Sequence, residues 1–458
     1  MILCHHRSHD RLRHSFHRPP CFMKIYLKLV LSYLRVHWLL FFVGLAAGSA
    51  FIFLFPTLSR ALQPPKVNRV ALVGNYTAGS LPLKIQNEIS LGLTKLLPDG
   101  HATGSAALDW QTADSGKTVI FNLAQNLFWQ DGTKFDTSQI NYSLKGVEVK
   151  RLSLYRLEFK FKESFSPLPT ILSQPLFKNA LIGLGDNAVE NIKFNGRFIA
   201  SLTLKNLPTG AQKIYKFYPT EEAAVTALKL GAVNHVEDLH QTYGLQNDSH
   251  LKVQGHIAEN TIATILLNLH KDPISEKSFR QALAYALPDS YPHSATASSS
   301  LPQNSWAKSL NFKTYPQNQT LAKKTFADVA SASATKRIFL SSPKELTPLA
   351  ESISAAWSSL GLEAKTTVSE IIPPSFDAHL LYLEIPPDPD QYALWHSTQA
   401  GNTTGYKSFK ADHLLEDGRR TLGDKERWEI YQAFQKALSE DLPAIFLFYP
   451  QLYDVSRI

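Results

Sequence analysis

Residues able to do covalent chemistry are scattered along this 458-residue chain without assembling into a reactive set. Ser115-Gly116-Lys117-Thr118 has the ending of a phosphate-binding loop. The loop's required earlier glycine position holds Gln111, and the stretch precedes a strand rather than opening a helix, so it reads as a hairpin turn. No His-Glu-x-x-His and no Gly-x-Ser-x-Gly is present. Past residue 66 the histidines show no metal-ligand spacing, and His396 and His413 read as ordinary hydrogen-bonding side chains. His5, His6, His9, His14 and His17 could in principle hold a metal, but their Arg-rich surroundings read as a disordered or mis-started leader, with Met23-Lys24-Ile25 a plausible true start. Both cysteines, Cys4 and Cys21, precede the apolar run at 38–55, so no disulfide or thiolate chemistry is expected beyond it. No catalytic residue, metal ligand or cofactor is assigned, and the expectation is a protein that binds rather than reacts.

Charge narrows what is bound. The net charge of +8 sits in residues 1–66, with nine Lys/Arg against one acid, whereas the remainder carries 38 of each sign. A neutral remainder has no basic stripe for phosphates, so nucleic acid is not an expected partner. The run Trp38–Phe55 holds no charge, and with Thr57 and Leu58 it reaches the length of one membrane-spanning helix. Lys24, Lys28 and Arg35 precede it, against Arg60 and Lys66 after it, which places the N-terminus in the cytoplasm. An uncleaved signal anchor over 38–58 is expected. A cleaved signal peptide is the alternative, with Ala46-Ala47-Gly48-Ser49-Ala50 as its small-residue cluster.

The elements are legible from periodicity and caps. Val70–Val73 and Val119–Leu123 read as strands. Tyr155, Leu157, Phe159 and Phe161 alternate with charged residues, as in a half-buried strand. Asp136 with Gln139 predicts a capped helix. Thr220 predicts a second helix, ended by Gly231, and Ser275 a third. Ala295–Ser300 reads as a surface loop. Strand Ile338–Leu340, helix Leu346–Leu360 and strand Leu362–Val368 make a β-α-β unit, followed by a strand over Asp377–Ile385. The fold class is α/β with mixed sheets.

Three blocks carry a resemblance. Asp388–Pro450 has Asp388-Pro389, Trp395, Ser397, Asn402, Gly405-Tyr406, Asp412, Leu414-Leu415, Arg427, Tyr431, Asp441 and Pro443 in order. Phe121–Leu144 adds Trp129, Asp131, Gly132, Phe135, Tyr142 and Ser143. Thr261–Leu287 adds Asn268 and Arg280-Gln281-Ala282-Leu283. Together these resemble the family-5 extracellular solute-binding proteins, the peptide- and nickel-binding receptors of ABC importers. The resemblance implies a bilobed periplasmic-binding-protein-like fold built from three segments. Lobe one would comprise 67–110, 186–261 and 441–458. An inserted subdomain would cover 111–185, lobe two 262–440, and a linker 59–66 would follow the anchor.

It also implies a monomeric receptor on the extracytoplasmic side of the cell membrane that hands an oligopeptide or similar solute to ABC permease subunits. A surface sensor of the same fold, a nickel binder and an oligosaccharide binder are the alternatives. In peptide-binding relatives the strand matching Leu380–Ile385 pairs with the ligand backbone. An Asp four residues before the Pro of Asp-Pro holds the peptide's amino group, and here that position is Ile385. Glu384 is one residue away, on the opposite face of a regular strand. Either a bulge turns Glu384 inward or the ligand lacks an amine there. The expected ligand-binding residues are Tyr382, Glu384, Ile385, Asp388, Trp395, Asn402, Tyr406 and Trp306. Asp388 and Asn402 also have the character of turn caps, Trp129 that of a core residue.

Overall fold

The computed structural model describes residues 21–62, 67–179, 181–297, 299–309, 311–330 and 337–458. They divide into an N-terminal unit ending at residue 66 and a second unit, Val67–Ile458. The first holds helices Cys21–Val36 and Trp38–Leu62, the latter containing the whole apolar run. Side chains at 41 and 52–62 lie outside the described residues. Among the described residues no helix is long and apolar enough to cross a membrane. The leader up to residue 20, with its histidines and Cys4, and the Gln63-Pro64-Pro65 linker also lie outside them.

The second unit is organised by one strand. Ala444–Arg457, 14 residues long, follows Pro443 at the end of helix Asp424–Asp441. Its first half pairs with Thr261–Leu267 and its second half with His235–Leu239 and Leu251–Ile257. It therefore joins the two sides of one 12-stranded sheet, called lobe one and lobe two below. In lobe one, Asn68–Val73 runs parallel to both Gln212–Tyr218 and His235–Leu239. Val70, Ala71 and Leu72 are buried in succession, as a parallel strand covered on both faces requires. Helix Glu221–Lys229 covers one face. The Thr220 hydroxyl accepts from the Ala223 amide at its start, and Gly231, with φ of +74°, follows its end.

In lobe two, Arg337–Ser342 lies parallel to Glu363–Val368, with helix Thr347–Ser358 between them in sequence, and parallel to Ala378–Glu384. Ala378–Glu384 pairs along its whole length with Thr261–Leu267 in unbroken antiparallel register. A separate four-stranded sheet is formed by Ala107–Ala113, Thr118–Leu123, Arg156–Lys160 and Glu148–Ser153. It closes over Phe121, Phe159, Leu157, Trp129 and Phe135. The Ser115–Thr118 stretch is the turn between its first two strands, with Asp114 and Ser115 both at positive φ.

Three local expectations are corrected. The helix after Asp136 is a single 3-10 turn, Thr137–Gln139. Its capping box forms as expected, but the chain is extended again by Ile140. Ser275 does not cap helix Lys277–Tyr285. Glu276 holds that position, and the Ser275 hydroxyl donates to Asp272 instead. Ala295–Ser300 is not a surface loop. Ser294–Thr296 pairs with the long strand, Ser299 and Ser300 are fully buried, and the Ser299 hydroxyl donates to Gln435 at 2.5 Å. A run of small residues marks close packing here, not solvent.

Candidate functional site: the cleft between the lobes

Open α/β sheets bind ligands outside the carboxyl ends of their strands. Here the parallel strands of lobe one end at Val73, Tyr218 and Leu239, and those of lobe two at Ser342, Val368 and Glu384. The segments that follow face each other. His240 of lobe one stacks on Tyr382 of lobe two, with ring centroids 4.8 Å apart and planes 14° from parallel. Burial raises the Tyr76 hydroxyl, and the charges acting on it include Lys84, Asp238 and, from across the cleft, Glu384.

The lobe-one wall is a network of acids. Glu221 accepts from the His240 amide at 2.9 Å, from its Nδ1 at 2.7 Å and from the Tyr243 hydroxyl at 2.9 Å. Burial works against its charge, but the bonds from His240 prevail and hold its pKa below the ordinary range. Lys84 donates to Glu237 at 2.9 Å and also pairs with Asp238. His256 lies between Asp238 (Nε2 at 3.6 Å) and Asp454 (Nδ1 at 3.9 Å). Asp238, His256 and Asp454 can each bring one ligand atom to within 4.8 Å of the others, the spacing of a small cation site. Histidines that look scattered in sequence are thus gathered by strands His235–Leu239, Leu251–Ile257 and Ala444–Arg457. A pocket of about 510 Å³ opens beside them, lined by Asp238, His240, His256, Glu259, Thr261 and Leu452 among others.

Lobe two contributes Tyr382 and Glu384. Because the ladder to Thr261–Leu267 has no bulge, side chains alternate strictly. Leu381, Leu383 and Ile385 pack downward into cores with Trp395, Phe446 and Tyr449. Tyr382 and Glu384 share the other face, and Glu384 is exposed. Toward Arg337–Ser342 only Ala378 and His379 are paired, so from Leu380 onward that edge carries no strand among the described residues. Glu345, after the strand Arg337–Ser342, completes the wall. Burial raises its pKa, His240 opposes this, and Glu221 and Glu370 add to it.

The other residues expected at the site lie elsewhere. Ile385 is buried, its amide donating to Asn260. Asp388 accepts from Arg427 at 2.9 Å, from the Asp390 amide at 2.9 Å and from Thr170 at 3.1 Å. Trp395 is buried in the lobe-two core. Asn402 knots its own loop, donating to the Tyr406 carbonyl at 2.7 Å and accepting from the Tyr406 amide at 3.2 Å. The Tyr406 hydroxyl donates to Asp441 at 2.8 Å, beside a polar pocket of about 410 Å³ that includes His270, Arg280 and Lys407. Trp306 sits between the His101 ring, 5.1 Å away, and the Arg427 guanidinium, 5.5 Å away. Trp129 is a core residue whose indole donates to Gln139 at 2.9 Å. The signature block is thus chiefly a scaffold. The wall of the cleft includes Glu221, Asp238, His240 and Glu345, whose only sequence signal is their place at or just after the carboxyl ends of parallel strands.

No protein-family model matches the chain. A stretch of 103 residues is 32% identical to the oligopeptide-binding protein AppA of Bacillus subtilis (strain 168), covering 20% of this chain and 19% of that protein. Solved structures align over far more. NikZ from Campylobacter jejuni, in complex with Ni(L-His), matches with a TM-score of 0.74 at 19% identity, over 86% of this chain and 94% of its own. AppA from Bacillus subtilis, in complex with a nonapeptide, matches with a TM-score of 0.70 at 18% identity, over 86% and 95%. DppA from Helicobacter pylori, in complex with the peptide STSA, matches with a TM-score of 0.68 at 16% identity, over 85% and 94%. The chain has the fold of the family-5 solute-binding proteins, as its signature residues imply.

Proposed function

We propose that this chain is the extracytoplasmic substrate-binding protein of an ABC importer, tethered by helix Trp38–Leu62, and that it captures an oligopeptide or similar extended solute. The observation that carries this reading is the edge of Ala378–Glu384, unpaired from Leu380 onward among the described residues, which opens into a cleft walled by the other lobe. An extended peptide adds to such an edge through main-chain hydrogen bonds, with side-chain pockets left to tolerate sequence. Tyr382 and Glu384 are assigned to ligand contact. Ile385, Asp388, Trp395, Asn402, Tyr406 and Trp306 are assigned to holding the strand and the loops beneath it. The strand Ala444–Arg457, shared by both lobes, supplies the hinge. A ligand touching both walls favours the closed arrangement by its differential affinity, and no bond is made or broken.

A second reading, capture of a nickel chelate, is favoured by the Asp238, His256 and Asp454 group. Mass spectrometry of what is released on denaturing the natively purified full chain separates the two. A mixture of short peptides is expected. A nickel complex, a saccharide or a single non-peptide metabolite in their place overturns the peptide reading.

A further inference from the structure

We propose that the cleft selects cationic peptides, with Glu345 and Glu384 of lobe two and Asp238 of lobe one receiving the ammonium or guanidinium group of a basic ligand side chain. This rests on the reading of the chain as a peptide receptor and adds to it the charge of the cargo. Three observations support it. The carboxylates of Glu345 and Glu384 take no hydrogen bond or ion pair among the described residues, although both stand at the carboxyl ends of lobe-two strands facing lobe one. The wall opposite is itself acidic. There Lys84 is shared between Glu237 and Asp238, while Glu221 is held by His240 and Tyr243. Beside His240, which stacks on Tyr382, a pocket of about 510 Å³ is lined by Asp238 and Glu259, which gives room on the lobe-one side for a long side chain rather than a bare ion.

An organic cation fits this arrangement better than a metal. Asp238 already pairs with an ammonium group, that of Lys84. Glu345 and Glu384 lie at the ends of different strands, which suits a ligand that extends between them. Burial and the neighbouring Glu221 and Glu370 hold the Glu345 carboxyl above its ordinary range, so an arriving positive charge is favoured at that point.

The test compares three pentapeptides with free termini on the full chain in detergent: Ala-Lys-Ala-Lys-Ala, five alanines, and Ala-Glu-Ala-Glu-Ala. Titration calorimetry should find the lysine peptide bound at least about tenfold more tightly than the alanine peptide. The glutamate peptide should be weakest, and the gap should shrink as salt is raised. Glu345→Gln and Glu384→Gln should each narrow the gap between the lysine and glutamate peptides several-fold, and the double variant should narrow it further. Equal binding of all three peptides overturns charge selection but leaves peptide capture standing. Binding of Ni²⁺ or Ni²⁺-histidine with no binding of any peptide overturns both, as does binding of none of these probes.

Discussion

Asp388 and Arg427 show what a signature residue can be for. Their carboxylate and guanidinium meet at 2.9 Å with side chains only 9% and 6% exposed. The same carboxylate accepts from Thr170 of the inserted region at 3.1 Å. The guanidinium also donates to the Gly418 carbonyl at 3.1 Å, so neither charge is left bare. Breaking one side of a buried pair strands the other, at a cost of about 3–5 kcal/mol. Asp388→Ala should therefore lower the unfolding free energy by about that much in a urea titration. Asp388→Leu with Arg427→Met should recover part of the loss, because an apolar pair leaves no buried charge. A change below about 1 kcal/mol in the single variant would show that water reaches Arg427. Sequence marked both residues through the family pattern but could not separate a ligand contact from a buried pair, since they stand 39 positions apart. Asn402 was more legible, because its bonds all fall within seven residues of it.

Elements were legible where the signal is local, as in the Thr220 cap, the alternation of Leu157 and Phe159, and the β-α-β unit at 337–368. Contacts between distant segments were not. The last turn of helix Phe409–Arg420 leaves carbonyls without helical partners, as every helix end does. Here they are met by the inserted region, about 250 residues earlier. The Ser166 hydroxyl donates to the carbonyls of Gly418 at 3.0 Å and Arg419 at 3.1 Å, and Ser164 donates to that of Arg420. Arg420 pairs with Glu163 at 2.6 Å, and the Arg419 guanidinium lies 5.1 Å over the Phe165 ring. Parting the inserted region from lobe two would return those carbonyls to water, so the serines favour the closed arrangement by roughly 0.5–1.5 kcal/mol each. Ser166→Ala should weaken ligand binding up to about tenfold. It should also raise the radius of gyration of the unliganded protein in X-ray scattering while leaving the melting temperature nearly unchanged. Unchanged affinity and scattering would assign the serines to helix capping alone.

At the scale of the whole chain, charge and hydropathy place two different materials end to end. Residues 1–66 carry the entire net charge of +8, and the helix Trp38–Leu62 holds the apolar run. Residues 67–458 are neutral overall and form their own compact unit. Basic residues before an apolar run favour keeping that side in the cytoplasm, and a run of about 20 residues matches the hydrocarbon thickness. The apolar residues Phe51–Phe55 continue past the small cluster at 46–50, where a signal peptidase would need its site to end. The native protein should therefore stay in the membrane pellet through alkaline carbonate extraction, and N-terminal sequencing should find no cut between Ser59 and Val67. Deleting residues 1–66 and supplying a cleavable export signal should release a soluble protein with the ligand affinity of the full chain, because every residue assigned to the cleft lies beyond Val67. A native N-terminus between Ser59 and Val67 would show that the apolar run is a signal peptide and that the receptor is released. A large loss of affinity in the released form would instead show that the tether takes part in shaping the cleft.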